Sequence, residues 1–149
     1  MKKLILQSWI FFVFGFAATL TTAAAQETPG IEGAWKTQVH LFNCENGVGI
    51  ADIKALNLFM HDGSFTETAV NILRTPSVGT WQHIRGRSYL AKFWFYRYTP
   101  NFTFASFAAA VNNIELDGDH FTITGQVVDT FADGSTATTC VQISGDRLQ

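Results

Sequence analysis

Residues 115–135 read ELDGDHFTITGQVVDTFADGS: two Asp-Gly pairs, Asp117-Gly118 and Asp133-Gly134, bracket a run in which apolar and polar side chains alternate. Both residues of such a pair tolerate the positive φ of a tight hairpin turn, so Asp-Gly between alternating runs predicts two strands folding back on each other. Phe102 to Glu115, Asp119 to Phe131 and Ser135 to Ser144 are the three strands so defined.

Working outward, Asp62-Gly63 joins Lys54–His61 to Ser64–Ile72 by the same device. Trp35, Val39 and Leu41 alternate with Lys36, Gln38 and His40, the pattern of a half-buried strand, and a loop from Asn43 to Gly49 follows. A short strand over Val78–His83 leads through Arg85-Gly86-Arg87 into Ser88–Thr99, which Pro100 stops. No segment is long enough for a crossover helix, so consecutive strands must pair antiparallel. The chain is therefore all-β, with about eight strands in a meander. Closing such a sheet into a small barrel removes both exposed edges. A two-sheet sandwich is the alternative that alternation alone leaves open.

At 47% hydrophobic and only 3 prolines, the 149-residue chain has the makings of a core rather than of a disordered tail. Its start is of a different kind. Lys2-Lys3 precede an almost unbroken apolar run, Leu4–Leu20, and Ala23-x-Ala25 fits an export cleavage site. Residues 1–25 are thus expected to be a signal peptide and 26–149 the single barrel domain; a membrane anchor is the competing reading. Cleavage would leave eight basic against twelve acidic side chains, a formal charge of −4 with no basic stripe, which excludes nucleic acid as a natural partner. The protein is expected in the periplasm or outside the cell, with no stable membrane insertion after cleavage. Cys44 and Cys140 are the only cysteines, and in an exported chain they are most simply one disulfide, a redox pair or half a metal site being the rivals.

Gly33-Ala34-Trp35 at the opening of the first strand resembles the Gly-x-Trp of lipocalins and fatty-acid-binding proteins, the calycin group. The resemblance implies a ligand-holding barrel, with Arg147 as the late arginine that packs near the tryptophan. The chain also resembles small exported bacterial proteins of unassigned function. That likeness runs through Gly79-Thr80-Trp81-Gln82, the alternating Tyr89, Ala91, Phe93, Phe95 and Arg97, Phe121-Thr122-x-Thr124-Gly125, and Cys140. It implies a bacterial source and export. Barrels of the allene oxide cyclase and dirigent types are similar in strand count and size, but a fold analogy carries no activity with it.

Ser88–Thr99 is the segment richest in chemistry. Tyr89, Ala91, Phe93, Phe95 and Arg97 share one face, and Lys92 marks the other as the wet one. Trp35, Tyr89, Phe93 and Phe95 are the expected lining of a lumen site for a small hydrophobic ligand, with Arg97 as polar anchor. An inward guanidinium needs a partner, so Arg97 either holds an anionic head group or makes an internal ion pair with Asp129. Trp94, Tyr96 and Tyr98 stack up on the outer face, where they mark a homo-oligomer surface or lie under a neighbouring loop. No nucleophile elbow, phosphate loop or dinucleotide fingerprint occurs, so no cofactor and no catalytic residue is expected. His40, His61, His83 and His120 show no metal-ligand spacing. Glu67 would act as a base only if it pointed inward; the expectation is an exposed cross-strand partner. Three functions compete. The first is an exported binder of an apolar or amphipathic molecule. The second is a cofactor-free isomerase or cyclase using Arg97, Glu67 and Tyr89. The third is a structural or protein-binding module with a filled core.

Overall fold

A computed structural model describes residues 30–149; the proposed signal peptide lies outside the described residues. Eight antiparallel strands follow one another: β1 (Gly33–Phe42), β2 (Gly49–Phe59), β3 (Ser64–Ala69), β4 (Ser77–Arg85), β5 (Ser88–Tyr98), β6 (Phe104–Asp117), β7 (His120–Phe131) and β8 (Thr136–Arg147). Each pairs with its neighbour in sequence, and β1 pairs with β8, which closes the barrel. The register of the closing seam runs from Trp35 opposite Arg147 to Phe42 opposite Cys140. A closed ladder settles the choice between barrel and sandwich: every strand pairs with a neighbour on either side.

The turns expected at Asp62-Gly63, Asp117-Gly118 and Asp133-Gly134 are in place, and all three glycines have positive φ. Several strand limits differ from the sequence reading, among them those of β2, β3 and β8, the last running on to Arg147 rather than Ser144. β2 begins at Gly49 rather than Lys54, because its first residues are held by pairing to His40 and Leu41 although they bury little. β3 stops at Ala69 rather than Ile72, since after Val70, whose N–H still donates to the Lys54 carbonyl at 2.8 Å, the chain leaves the ladder.

The pleat sends alternate residues into the lumen, and the two ends of that lumen are filled differently. At one end, reached by the turns after β2, β4 and β6, rings pack against rings. Trp35 and Phe121 have centroids 4.8 Å apart, Phe59 and Phe65 4.9 Å, and Phe65 and Phe93 5.0 Å. Gly145 makes this possible, because a Cβ there would run into the Phe121 ring. The segment Gly30–Glu32 then seals the end. Trp35 Nε1 donates to the Ile31 carbonyl at 2.8 Å, and the Arg147 guanidinium lies 4.2 Å from the centre of the Trp35 ring while donating to the Glu32 and Gly30 carbonyls. Burial of each large ring here contributes roughly 1.5–3 kcal/mol.

The other end carries the connections after β1, β3, β5 and β7. Cys44, in the first of these, is bonded to Cys140 of β8, with Cα atoms 5.1 Å apart. The bond fastens the rim where the barrel closes, and a link across a loop of this length is worth at most about 4–5 kcal/mol. It is compatible with an extracellular or periplasmic protein.

Candidate functional site

Below this rim the lumen turns polar. Phe95 and Arg97 of β5, Ser106 and Asn112 of β6, Asp129 of β7 and Glu67 of β3 all lie on inward positions of their strands, in phase with the buried Phe65, Phe93, Ala108, Ala110 and Val127. Glu67 is only 3% exposed. The expectation that it faces solvent is therefore overturned: two residues after Phe65, it follows that ring into the core, and it is tolerated there because a cation meets it.

That cation is Arg74, which comes from the β3–β4 connection. β4 pairs with β5 only as far as Trp94, leaving the end of β5 without a ladder on that side. Leu73–Thr75 fills the gap: Thr75 N donates to Tyr96 O at 3.0 Å and Tyr98 N to Leu73 O at 2.8 Å. The short added strand turns Arg74 inward. Its Nη2 lies 2.9 Å from Glu67 Oε1 and donates to Ser77 Oγ, and its guanidinium sits 3.6 Å from the centre of the Phe95 ring. Burial raises the Glu67 pKa above the usual carboxylate value, against the opposing pull of Arg74; burial likewise lowers that of Arg74, against the pull of Glu67.

A second pair stands beside the first. Arg97 Nε donates to Asp129 Oδ1 at 2.7 Å, and Ser106 Oγ donates to the same oxygen at 2.6 Å. Arg97 is thus inward and paired internally, and its side chain remains 25% exposed toward the rim. Its guanidinium lies 4.9 Å from the Phe95 ring centre, so one aromatic ring carries two cations, each neutralised by its own carboxylate.

Between these pairs and the aliphatic walls lies a cavity of about 30 Å³. Val39, Ile53, Val127, Val141 and Ile143 supply the walls, and Glu67, Arg74, Arg97 and Asn112 the polar lining. Of the residues expected to line a site, Phe93, Phe95 and Arg97 meet here. Trp35 and Tyr89 do not join them. Trp35 is fully buried at the sealed end, and Tyr89 lies near that end, half-buried between Trp81 and His83. Arg74 and Asn112 were missing from the sequence reading. Asn112 could have been found, since it continues the inward phase of Ser106, Ala108 and Ala110; Arg74 sits in a connection with no period to read.

On the outer wall Trp94 and Tyr96 are exposed, and the Tyr96 ring lies 6.1 and 5.7 Å from those of Phe104 and Phe107, while Tyr98 is half-buried. His40, His61 and His120 each contact a surface carboxylate (Asp52, Glu32 and Asp146), and His83 bonds the Gly86 carbonyl. Among the described residues no group of three or more histidine, cysteine or carboxylate side chains is arranged to hold a metal ion.

A scan against protein-family models finds no family that matches this chain, and searches of the curated proteins and of the solved structures find no match either.

Proposed function

We propose that this protein is an exported binding barrel that holds a small apolar or amphipathic molecule at the Arg97 end of its lumen. The observation that supports this reading is the lining of the cavity: aliphatic walls face a few convergent polar groups, the kind of composition a ligand site has. Its free volume admits only the buried end of a ligand, so the rest must lie toward the rim, where Val70 and Ile72 are 79% and 80% exposed. Arg147 over Trp35, following Gly33-x-Trp35, supports kinship with the calycin group. The disulfide and the amino-terminal pattern together support a place in the periplasm or outside the cell.

Mass spectrometry of small molecules released from the protein purified, undenatured, from its own cells tests the reading. The expected result is a stoichiometric apolar or amphipathic compound that is lost from a Val141→Leu variant, whose extra methylene takes up a volume of the order of the cavity itself. A native protein that releases nothing, and binds none of a panel of such compounds, would sink the proposal.

A further inference from the structure

The outer wall of the barrel changes character from one side to the other. On β1 and β8 the outward positions set Lys36 opposite Asp146, Gln38 opposite Ser144 and His40 opposite Gln142. On β4 to β7 one row across the ladder is Val78, Trp94, Ala109 and Val128, and the next sets Tyr96 opposite Phe107. Trp94, Tyr96, Phe104 and Phe107 are 38–50% exposed. From Leu90 to Tyr98 and from Phe104 to Asn113, Lys92 is the only charged outward side chain. A bulge enlarges this face. Arg97 pairs with Ser106 but Tyr98 with Phe104, so Ala105 is an extra residue in β6. Strict alternation with Ser106 and Ala108 would aim Phe104 into the lumen; the bulge turns it outward, 6.1 Å from the Tyr96 ring. A backbone irregularity that delivers an apolar ring to water opposes burial, which makes this face a surface awaiting a partner.

We infer that the outer face of β4 to β7 around Phe107 is a two-fold interface between two copies of this chain. The area is of the right order. At roughly 150–250 Å² for a whole ring, the four aromatics leave about 250–450 Å² in water. A standard interface takes roughly 800 Å² from each partner, a little over half of it apolar. The rings with Val78 and Val128 supply that apolar part, and the polar side chains around them supply the rim. The charges fit a second copy as well. Lys92 is level with Gln126 at one margin of the face, whereas Asp133 lies in the exposed turn beyond Phe131 at the other. A two-fold axis at Phe107, midway between them, reverses one face on the other and brings each Lys92 toward Asp133 of the other copy. A lipid surface would offer these two opposite charges no such match. Tyr98, half-buried, stays outside the contact, and Phe104 and Phe107 take part in its place.

Sedimentation velocity of the protein purified from its own cells tests this. It should be a dimer at concentrations on the order of 10 μM, since interfaces of this size run from micromolar to picomolar. Tyr96→Lys and Phe107→Lys should each weaken the dimer at least about thirtyfold, the loss that a central aromatic anchor brings. Both residues point outward, so thermal midpoints of the monomeric variants should stay close to one another and to that of wild type diluted to monomer. Leu56→Lys, an equally exposed change on the opposite wall, should leave the dimer intact. Lys92→Glu, which sets carboxylate against carboxylate at both ends, should weaken it roughly threefold, and more at low salt. A wild-type protein that stays monomeric, or a dimer that both lysine variants leave intact, would overturn the inference. A monomer that instead floats with phosphatidylcholine vesicles, and loses this in Tyr96→Lys, would overturn it in favour of a lipid surface.

Discussion

The two ends of one lumen, built by the same eight strands, are stabilised by opposite means. At the Trp35 end, Trp35, Phe59, Phe65 and Phe121 pack in direct ring contact, and a short segment tied down by Arg147 covers them. At the Arg97 end two ion pairs share one phenylalanine ring beside a small cavity. A ring packed on rings needs nothing further. A buried charge needs its partner, so the polar end is held only while each pair stays intact. The contrast divides the barrel into a part that supplies stability and a part that gives some of it up to hold charge out of water.

The largest effect should come from the sealed end. Trp35→Ala removes the ring that touches Phe121 and receives Arg147, and should cost about 3–5 kcal/mol in chemical denaturation. Ligand affinity per folded molecule, measured below the transition, should hardly change, because Trp35 lies away from the cavity. A loss of affinity as large as the loss of stability would erase the distinction between the ends.

The inner ion pair comes next. Arg74→Met alone strands a buried Glu67 and should destabilise by roughly 3 kcal/mol, whereas the double variant Arg74→Met with Glu67→Leu should recover most of that. A double-mutant cycle checks it, and a double variant no better than the single one would show that Arg74 acts through its stacking on Phe95 instead. Arg97→Met should cost less, about 1–2 kcal/mol, since Ser106 still donates to Asp129 and the pair is partly open to solvent.

The smallest effect is a pH dependence. Because burial raises the Glu67 pKa above its ordinary 4.5, its carboxyl favours folding most when protonated. Its contribution to stability is fully present below pH 4.5 and falls away as pH rises through the folded value. Relative to Glu67→Gln, wild-type stability should therefore decline between weakly acidic and neutral pH. Parallel denaturation curves at successive pH values measure it, and a decline in the opposite direction would mean that Arg74 outweighs burial.

Most of the frame could be read from residue order. Asp-Gly pairs located three hairpins, alternation gave the inward set Phe93, Phe95 and Arg97, and the absence of crossover segments left a meander, with closure the first expectation and a two-sheet sandwich the alternative that only the pairing of β1 with β8 removed. Asp129 was identifiable as a partner of Arg97 because it shares the phase of Val127. The site was less legible, for reasons that differ residue by residue. Glu67 obeys alternation with Phe65, and only the habit of placing charges outside hid it. Arg74 obeys no alternation: its inward aim arises from a backbone pairing between the β3–β4 connection and the end of β5, a tertiary event without a local signal. The early start of β2 was hidden for a related reason, since its first residues are mostly exposed and show no contrast between faces.

The seam between β1 and β8 has a consequence for how the molecule forms. Each strand from β1 to β7 pairs with its successor in the chain and can zip as a hairpin, but the other edge of β1 must wait for β8, where Trp35 meets Arg147, 147 − 35 = 112 residues further on. Until the last strand arrives, the first one carries an open edge, and the protein is in that interval most exposed to pairing with another molecule. The thiols of Cys44 and Cys140, 96 residues apart and lying on that seam, meet when the ring closes. The rate at which they become oxidised during refolding is accordingly a clock for the closing step, and the covalent bond then keeps the last strand from peeling away.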